Sequence, residues 1–270
     1  MSRDPGPARG VLHPARMADH VRHVRLAPSA DLEPVVQHFW SVRWDLCGLP
    51  PRVQQTLPHP NVHLVFERGG GRVYGVQPRR FDARLEGRGD VFGVKFRPGG
   101  FRAYLGAAVA GLRGRMLPWQ EIFGEAATGH EAGLLARTDD AGRMACAEAL
   151  LRAYRRPAAP EAQLAAAIVD DIAADRAVLQ VDALAARHGM GVRALQRLFN
   201  EYVGIGPKWV INRYRLHEAL ERAQAGAAVD WTALAHELGY FDQAHFIGDF
   251  RAMVGCTPAQ YRRRNASAAG

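Results

Sequence analysis

Lysine and cysteine are the scarce residues of this chain. Only Lys95 and Lys208 are lysines, so its positive charge is carried almost entirely by arginine. Cys47, Cys146 and Cys256 are far apart and lack the paired spacing of a zinc site, which excludes a disulfide scaffold and a zinc finger. So sparse and odd a set fits a reducing compartment, and a cytoplasmic protein is expected. No stretch approaches the roughly 20 uncharged apolar residues of a membrane span. Met1-Ser2-Arg3-Asp4-Pro5 leads into no apolar run, so neither a secretory signal nor a membrane partner is expected. Phosphate-binding and dinucleotide fingerprints are missing, as are Ser-His-Asp or Cys-His sets with local support. No catalytic residue, cofactor or metal is therefore assigned.

The 270 residues are 48% apolar and 23% charged, the composition of a globular protein long enough for two domains. The formal net charge is +8, a weak indication of a polyanionic partner. Its distribution matters more. Residues 1–167 hold 23 Arg/Lys against 16 Asp/Glu, whereas residues 168–270 hold 12 against 11. A nucleic-acid argument for the second part must rest on local pattern.

Residues 1–30 read as a flexible arm rich in Pro, Arg and His. Val35–Trp44, Val62–Glu67, Arg72–Val76 and Val91–Phe96 are β-branched and aromatic runs bounded by Gly and Pro, which predicts a small sheet or barrel. From Phe101 the texture turns helical. Arg156-Pro157-Ala158-Ala159-Pro160 reads as a linker. The expected class is α+β: a β-rich sensing or dimerising domain with trailing helices over 31–155, a linker at 156–161, an all-α domain over 162–264 and a tail at 265–270. The second domain is expected to fold alone.

The last hundred residues contain a degenerate repeat. Leu184-Ala185-Ala186-Arg187-His188-Gly189 is followed by a helix ending at Phe199, then Val203-Gly204 and Pro207. Leu234-Ala235-His236-Glu237-Leu238-Gly239 is followed by one ending at Phe250, then Val254-Gly255 and Pro258. Each copy has the texture of a helix-turn-helix, opened by an acidic N-cap, Asp182 or Asp230, and turned at Gly189 or Gly239. In the second helix of the first copy, Leu195, Leu198, Phe199 and Tyr202 form one apolar stripe. Arg193, Gln196, Arg197 and Asn200 share another face, and these side chains can pair with guanine or adenine edges in a major groove. A merely solvated face is the plainer reading of such a helix alone; the duplicated context argues against it. In the second copy Phe246, Phe250 and Met253 form the apolar stripe, leaving Gln243, Ala244, Ile247, Gly248 and Arg251 outward. Gln243 and Ile247 are the base-reading candidates there, with Ile247 suited to a thymine methyl. Lys208, Arg213 and Arg251 are assigned to the phosphate backbone. Between the copies, Pro207–Gln224 reads as a helix with Trp209, Leu216, Leu220 and Ala223 inward. Its roughly 27 Å suits two units set in adjacent grooves about 34 Å apart.

At this point the residues resemble a family. Leu184-Ala185, Arg193-x-Leu195-x-Arg197-x-Phe199, Gly204-x-x-Pro207 and Arg213-x-x-Leu216 match the DNA-binding domain of the AraC/XylS bacterial transcription regulators. So do Leu234-Ala235-x-x-Leu238-Gly239-Tyr240, Asp242-Gln243-Ala244-His245-Phe246, Phe250-Arg251, Gly255-x-x-Pro258 and Tyr261-Arg262. Gly191 departs from the usual N-cap Ser, and Gly248 stands where related sequences often carry Arg. Val91-Phe92-Gly93-Val94-Lys95-Phe96-Arg97-Pro98-Gly99-Gly100-Phe101 resembles part of an uncharacterised N-terminal domain attached to many such regulators. The resemblance implies a sequence-specific DNA-binding regulator with double-stranded DNA as partner. It also implies an N-terminal domain for effector sensing or dimerisation, and RNA polymerase as a further partner if the protein is an activator.

Trp40, His63 and Arg97 are the effector-site candidates, each with a structural alternative: core packing for Trp40, and for Arg97 a tight turn at Arg97-Pro98-Gly99-Gly100. His59, His63 and Glu67 underlie a rival reading, a metal-dependent cupin-like enzyme with a helical appendage. Their number and spacing are incomplete for a metal. A third reading keeps the helical repeat as a protein-interaction module.

Overall fold

The computed structural model describes residues 11–12, 20–224, 230–240 and 242–266. The rest of the expected arm, the turn around Gly226, the inward side chain proposed for Ala223 and the last residues of the tail lie outside this description.

The strands are β1 (Val11–Leu12), β2 (Val21–Leu26), β3 (Val36–Leu46), β4 (Arg52–Thr56), β5 (His63–Glu67), β6 (Gly70–Tyr74), β7 (Phe81–Leu85), β8 (Gly87–Phe96) and β9 (Met116–Pro118). The main sheet is antiparallel in the order β2-β3-β8-β5-β6-β9, and a smaller sheet runs β1-β4-β7. The loose-arm reading of residues 1–30 is corrected over Val21–Leu26, which pair along β3. The polar texture of Val21-Arg22-His23-Val24-Arg25-Leu26 hid a strand because one face of it lines a cavity rather than the core.

The two faces of the main sheet have different partners. Phe39, Leu64, Phe66, Phe92, Val94 and Phe96 are buried in the core that continues into the helices after β8. These are α1 (Arg102–Leu105), α2 (Gln120–Phe123), α3 (Thr128–Leu135) and α4 (Asp140–Tyr154). The opposite face looks toward the small sheet. A β-bulge between Val36 and His38 changes the parity of β3. It lets Val36 join the core while His38, Trp40, Val42 and Trp44 line the other side, a standard use of one extra residue in a strand.

The second half comprises α5 (Pro160–Ala174), α6 (Val181–Arg187), α7 (Val192–Leu198), α8 (Pro207–Gln224), α9 (Trp231–Glu237), α10 (Gln243–Val254) and α11 (Pro258–Ala266). Gly189 and Gly239 adopt φ of 63° and 77°, the left-handed backbone that a tight turn between two helices requires. Asp230 caps α9 by accepting from the amides of Thr232 and Ala233 at 2.9 and 3.1 Å. Asp182 is corrected: α6 starts one residue before it, with Gln180 at the N-cap, so Asp182 serves only as a first-turn acid. α8 spans the 18 residues expected. Its Arg215 is buried and donates to the carbonyls of Ile172 and Asp175 at 2.8 and 2.7 Å. A cation at the end of α5 satisfies acceptors the helix cannot and fixes α8 against it.

The halves also touch. The amide of Gly99 donates to the carbonyl of Tyr202 at 3.1 Å. Arg102 Nε meets Glu201 Oε1 at 2.7 Å. The Val109–Leu112 turn packs against Phe199–Val203. A single apolar cluster runs from Leu32 through the main sheet to Ile211.

Candidate nucleic-acid interface and cavity

α7 sorts its residues by face as the spacing predicts. Leu195 and Phe199 are fully buried, and Leu198 and Tyr202 are half-buried. Arg193, Gln196, Arg197 and Asn200 are all exposed. The helix does not stop at Leu198 but continues as a π-helical turn over Phe199–Val203, closed by the Gly204 amide donating to Phe199 O at 2.7 Å. That i→i+5 widening is invisible to a pattern read at 3.6 residues per turn.

On α10, Phe246, Phe250 and Met253 are buried, while Gln243, Ala244, Gly248 and Arg251 are exposed. Ile247 is half-buried against the cluster around α9 and α10, which limits its reach toward a base. Asp242 caps α10 by accepting from the His245 amide at 2.7 Å.

Pairing separates the spare cations from the engaged ones. Arg187 binds Asp171 and Asp175, and Arg222 binds Glu218 and Glu237. Among the described residues no carboxylate pairs with Arg193, Arg197, Lys208 or Arg251, and all four are exposed. Unpaired surface cations are the ones that can neutralise phosphates and release counterions.

Arg213 is a correction. Expected on the phosphate backbone, it is fully buried, and its Nε donates to the carbonyl of Pro58. Both terminal nitrogens are buried without a hydrogen-bond partner. Sequence spacing placed it on the linker helix but could not show that a loop of the first domain covers that face. Arg97 is a second correction. It does not line the cavity but donates to Glu33 O at 2.9 Å and lies 3.4 Å from Asp170 of α5. It tethers the turn to the helical half.

The cavity lies between the two sheets and measures about 570 Å³. Trp40 and His63, two of the effector-site candidates, line it. Lys95 and His38, which sequence reading did not single out as site residues, line it as well. Strand register sets them side by side: Lys95 on central β8 pairs with His38 on β3 and His63 on β5. The signal was available, because Phe92, Val94 and Phe96 alternate with Val91, Gly93 and Lys95, which puts a lysine on the non-core face. Burial, followed by the charges of Arg25 and Arg213, lowers Lys95 to about 7. Burial and then Lys95 push His63 down to about 3 and His38 to about 2, so both imidazoles are neutral at ordinary pH. His59 also lines the cavity, and its ring stands 5.0 Å from that of His217 on α8. Among the described residues no three His, Cys, Asp or Glu side chains are grouped to hold a metal.

Trp40 and Trp44 lie across the strand from Gly93 and Gly89. A Cβ at Gly93 would stand 2.3 Å from the Trp40 indole, and one at Gly89 would stand 1.9 Å from that of Trp44. Each indole therefore rests on backbone that only glycine leaves open. Gly93→Ala should displace Trp40 and cost about 1–3 kcal/mol by overpacking. Thermal unfolding with tryptophan emission checks this. An unchanged melting point and spectrum would show that the indole does not rest there.

Two family models match the chain. Residues 184–264 match a helix-turn-helix domain, and residues 24–118 match a domain of unknown function, DUF6597. The HTH-type transcriptional activator RhaS of Pectobacterium carotovorum subsp. carotovorum is 33% identical over 81 residues, 30% of this chain and 29% of that protein. The chain thus matches under a third of that relative's length. Among solved structures, an AraC-type regulator from Chromobacterium violaceum is 26% identical, with 37% of this chain and 88% of that one covered at a TM-score of 0.33. ToxT from Vibrio cholerae O395 is 9% identical, with 79% and 96% covered at a TM-score of 0.39.

Proposed function

We propose, from a chain that joins a DUF6597 domain to an AraC-type helix-turn-helix domain, that this protein is a sequence-specific DNA-binding transcription regulator. The observation that carries the proposal is α7: four exposed hydrogen-bonding side chains, Arg193, Gln196, Arg197 and Asn200, lie opposite the buried Leu195 and Phe199. Side chains of this kind read base edges, while phosphate contacts position the protein. α7 and α10 enter adjacent major grooves, with α8 as the rod between them. Gln243 adds reading reach on α10, and Lys208 and Arg251 contact phosphates.

In this reading residues 162–264 bind DNA, and residues 31–155 control them through a small-molecule effector held beside Trp40 and His63. No residue is assigned a catalytic role, and the place of action is the cytoplasm. No helix among the described residues is long and apolar enough to cross a membrane. RhaS is named an activator, and the same direction of control, through RNA polymerase, is proposed here. The test is a gel shift of the full-length protein on the upstream region of its own gene, with excess random DNA as competitor. A specific complex that Arg193→Ala and Arg197→Ala abolish supports the reading. Binding that random DNA competes away equally well counts against it.

A further inference from the structure

The N-terminal half holds both copies of the internal repeat at the same place. Gly204 closes the helical run that begins with α7, and Gly255 closes α10, with φ of 88° and 86°. They are corresponding residues of the two copies, each three positions before the proline that opens the next helix, Pro207 or Pro258. At Gly204 the neighbour is Val109: a Cβ there would stand 2.8 Å from Val109 Cγ1 and 3.1 Å from its carbonyl oxygen. At Gly255 the neighbour is Arg80, with whose guanidinium a Cβ would collide. Arg80 Nη1 donates to the carbonyl of Val254, the last residue of α10. The helix cannot satisfy that carbonyl itself, and a cation is favourable at a helix C-terminus. Asp82 aims the group, accepting from Nε at 2.6 Å and from Nη2 at 2.8 Å, which leaves Nη1 for α10.

Val109 and Arg80 stand on one piece of structure. The amide of Gly114 donates to Val76 O at 2.9 Å, and that of Gly75 to Arg115 O at 3.0 Å, so residues 75–80 and 109–115 are tied together. Leu112 O occupies the place of a Cβ at Gly75, an approach open only to glycine. Val76, Val109 and Leu112 are buried in the main core. This piece therefore joins the C-terminal ends of both recognition helices through buried backbone. The leading residues of those helices, Arg193 and Gln196 on α7 and Gln243 and Ala244 on α10, stay exposed. That is the end that meets base edges in helix-turn-helix proteins.

α8 alone leaves the two units some freedom. Its Val210 and Ile211 belong to the main apolar cluster, and its Leu216, Ala219 and Leu220 to a second one that also takes in α9 and α10. Asn212–Arg215 thus joins two separate cores. Helices bend, and a bend of about 10° over about 27 Å moves the far end by roughly 5 Å, more than the roughly 3.4 Å rise of one base pair. A second fixed point beside α8 removes that freedom. Leu57, from the N-terminal half, is buried in the second cluster and adds a further hold on the same unit.

We propose that the N-terminal half is a yoke: residues 75–80 and 109–115 fix the separation and rotation of α7 and α10, and Arg80 is the positioning residue for the second unit. Held in this way, the two units enter successive grooves without first giving up the freedom of a loose joint, and such preorganisation raises affinity. Arg80 does this without touching DNA. The consequence for DNA rests on the regulator reading above; the yoke itself does not.

The test uses the full chain with nitroxide labels at Ala186→Cys and His236→Cys, exposed and corresponding positions of the two units, after Cys47→Ser, Cys146→Ala and Cys256→Ala. Double electron–electron resonance without DNA should give one narrow distance. Arg80→Ala should at least double its width with the circular dichroism spectrum unchanged, and Asp82→Asn, which loosens the aim of Arg80, should broaden it as well. A second arm keeps the native cysteines and uses DNA selected by the wild-type protein from a randomised library. There Arg80→Ala and Asp82→Asn should each weaken binding at least tenfold. Hydroxyl-radical protection should be lost in the groove of α10 and kept in that of α7. This arm keeps the proposal testable should the cysteine-free chain fold poorly. A broad distance in the wild type, or one equally narrow in Arg80→Ala, would overturn the yoke. So would tighter DNA binding by Asp82→Asn, which would mark Arg80 as a phosphate contact released from a competing acid. A broadened distance with unchanged DNA affinity would overturn the consequence for DNA. A protein that binds no DNA under any condition would sink the regulator reading, while a narrow distance that depends on Arg80 would still support the yoke.

Discussion

Phe199→Ala is expected to lower the stability of the protein by about 3–5 kcal/mol, and Leu195→Ala by about 2–5 kcal/mol. Both side chains are fully buried, and removing either leaves a cavity as well as a loss of apolar burial. Phe199 should be the costlier. It opens the π-helical turn that packs on Val109–Leu112, so its loss loosens contact between the halves as well as the core of the first helix-turn-helix. Arg193→Ala and Arg197→Ala, one turn away on the exposed face, should change stability by no more than about 0.5 kcal/mol while weakening specific DNA binding. Urea unfolding with a shared slope separates the two sets. Unstable arginine variants beside stable apolar ones would mean that the faces of α7 are inverted.

The second large effect is an asymmetry between the two reading units. α7 exposes four groups able to form base-edge hydrogen bonds. On α10 the exposed positions are Gln243, Ala244, Gly248 and Arg251, with Ile247 half withdrawn into the core. Asp249, half-buried beside this surface, accepts from Asn212 at 3.2 Å and adds negative charge where DNA would approach. A good bidentate base contact contributes about 1–3 kcal/mol of discrimination. Arg197→Ala should therefore relax base preference in one groove by about that amount. Arg251→Ala should weaken binding evenly across sequences and reduce the salt slope by about one. Selection from a randomised DNA library is the measurement, and two equally sharp half-sites one helical turn apart on a monomer would refute the asymmetry.

The reading surface was legible in the sequence because it is local. A helix repeats every 3.6 residues, so Leu195 and Phe199 on one side place Arg193, Gln196, Arg197 and Asn200 on the other whatever the rest of the chain does. Gly189 and Gly239 marked the turns for the same reason, since their left-handed backbone is a property of the residue itself. The strands β3, β5, β6 and β8 were legible through their apolar runs. Those of the small sheet, such as Arg52-Val53-Gln54-Gln55-Thr56, were not, because they bury little and pair at long range.

The sequence by itself thus determined the β-then-α order, the duplicated helix-turn-helix and the polar face of α7, all of which follow from short-range periodicity and turn chemistry. Only the tertiary structure decided the fates of Arg213, Arg97 and Lys95. Arg213 is spaced like a phosphate contact and is buried under Pro58. Arg97 was an effector-site candidate and ties a turn to α5. Lys95 stands between His38 and His63 because β3 and β5 pair with β8 in one register, and a bulge turns His38 to that face. Each of these depends on which distant segment covers a side chain. A charge is spare or costly according to that cover alone, since solvation and pairing are set by surroundings rather than by residue type.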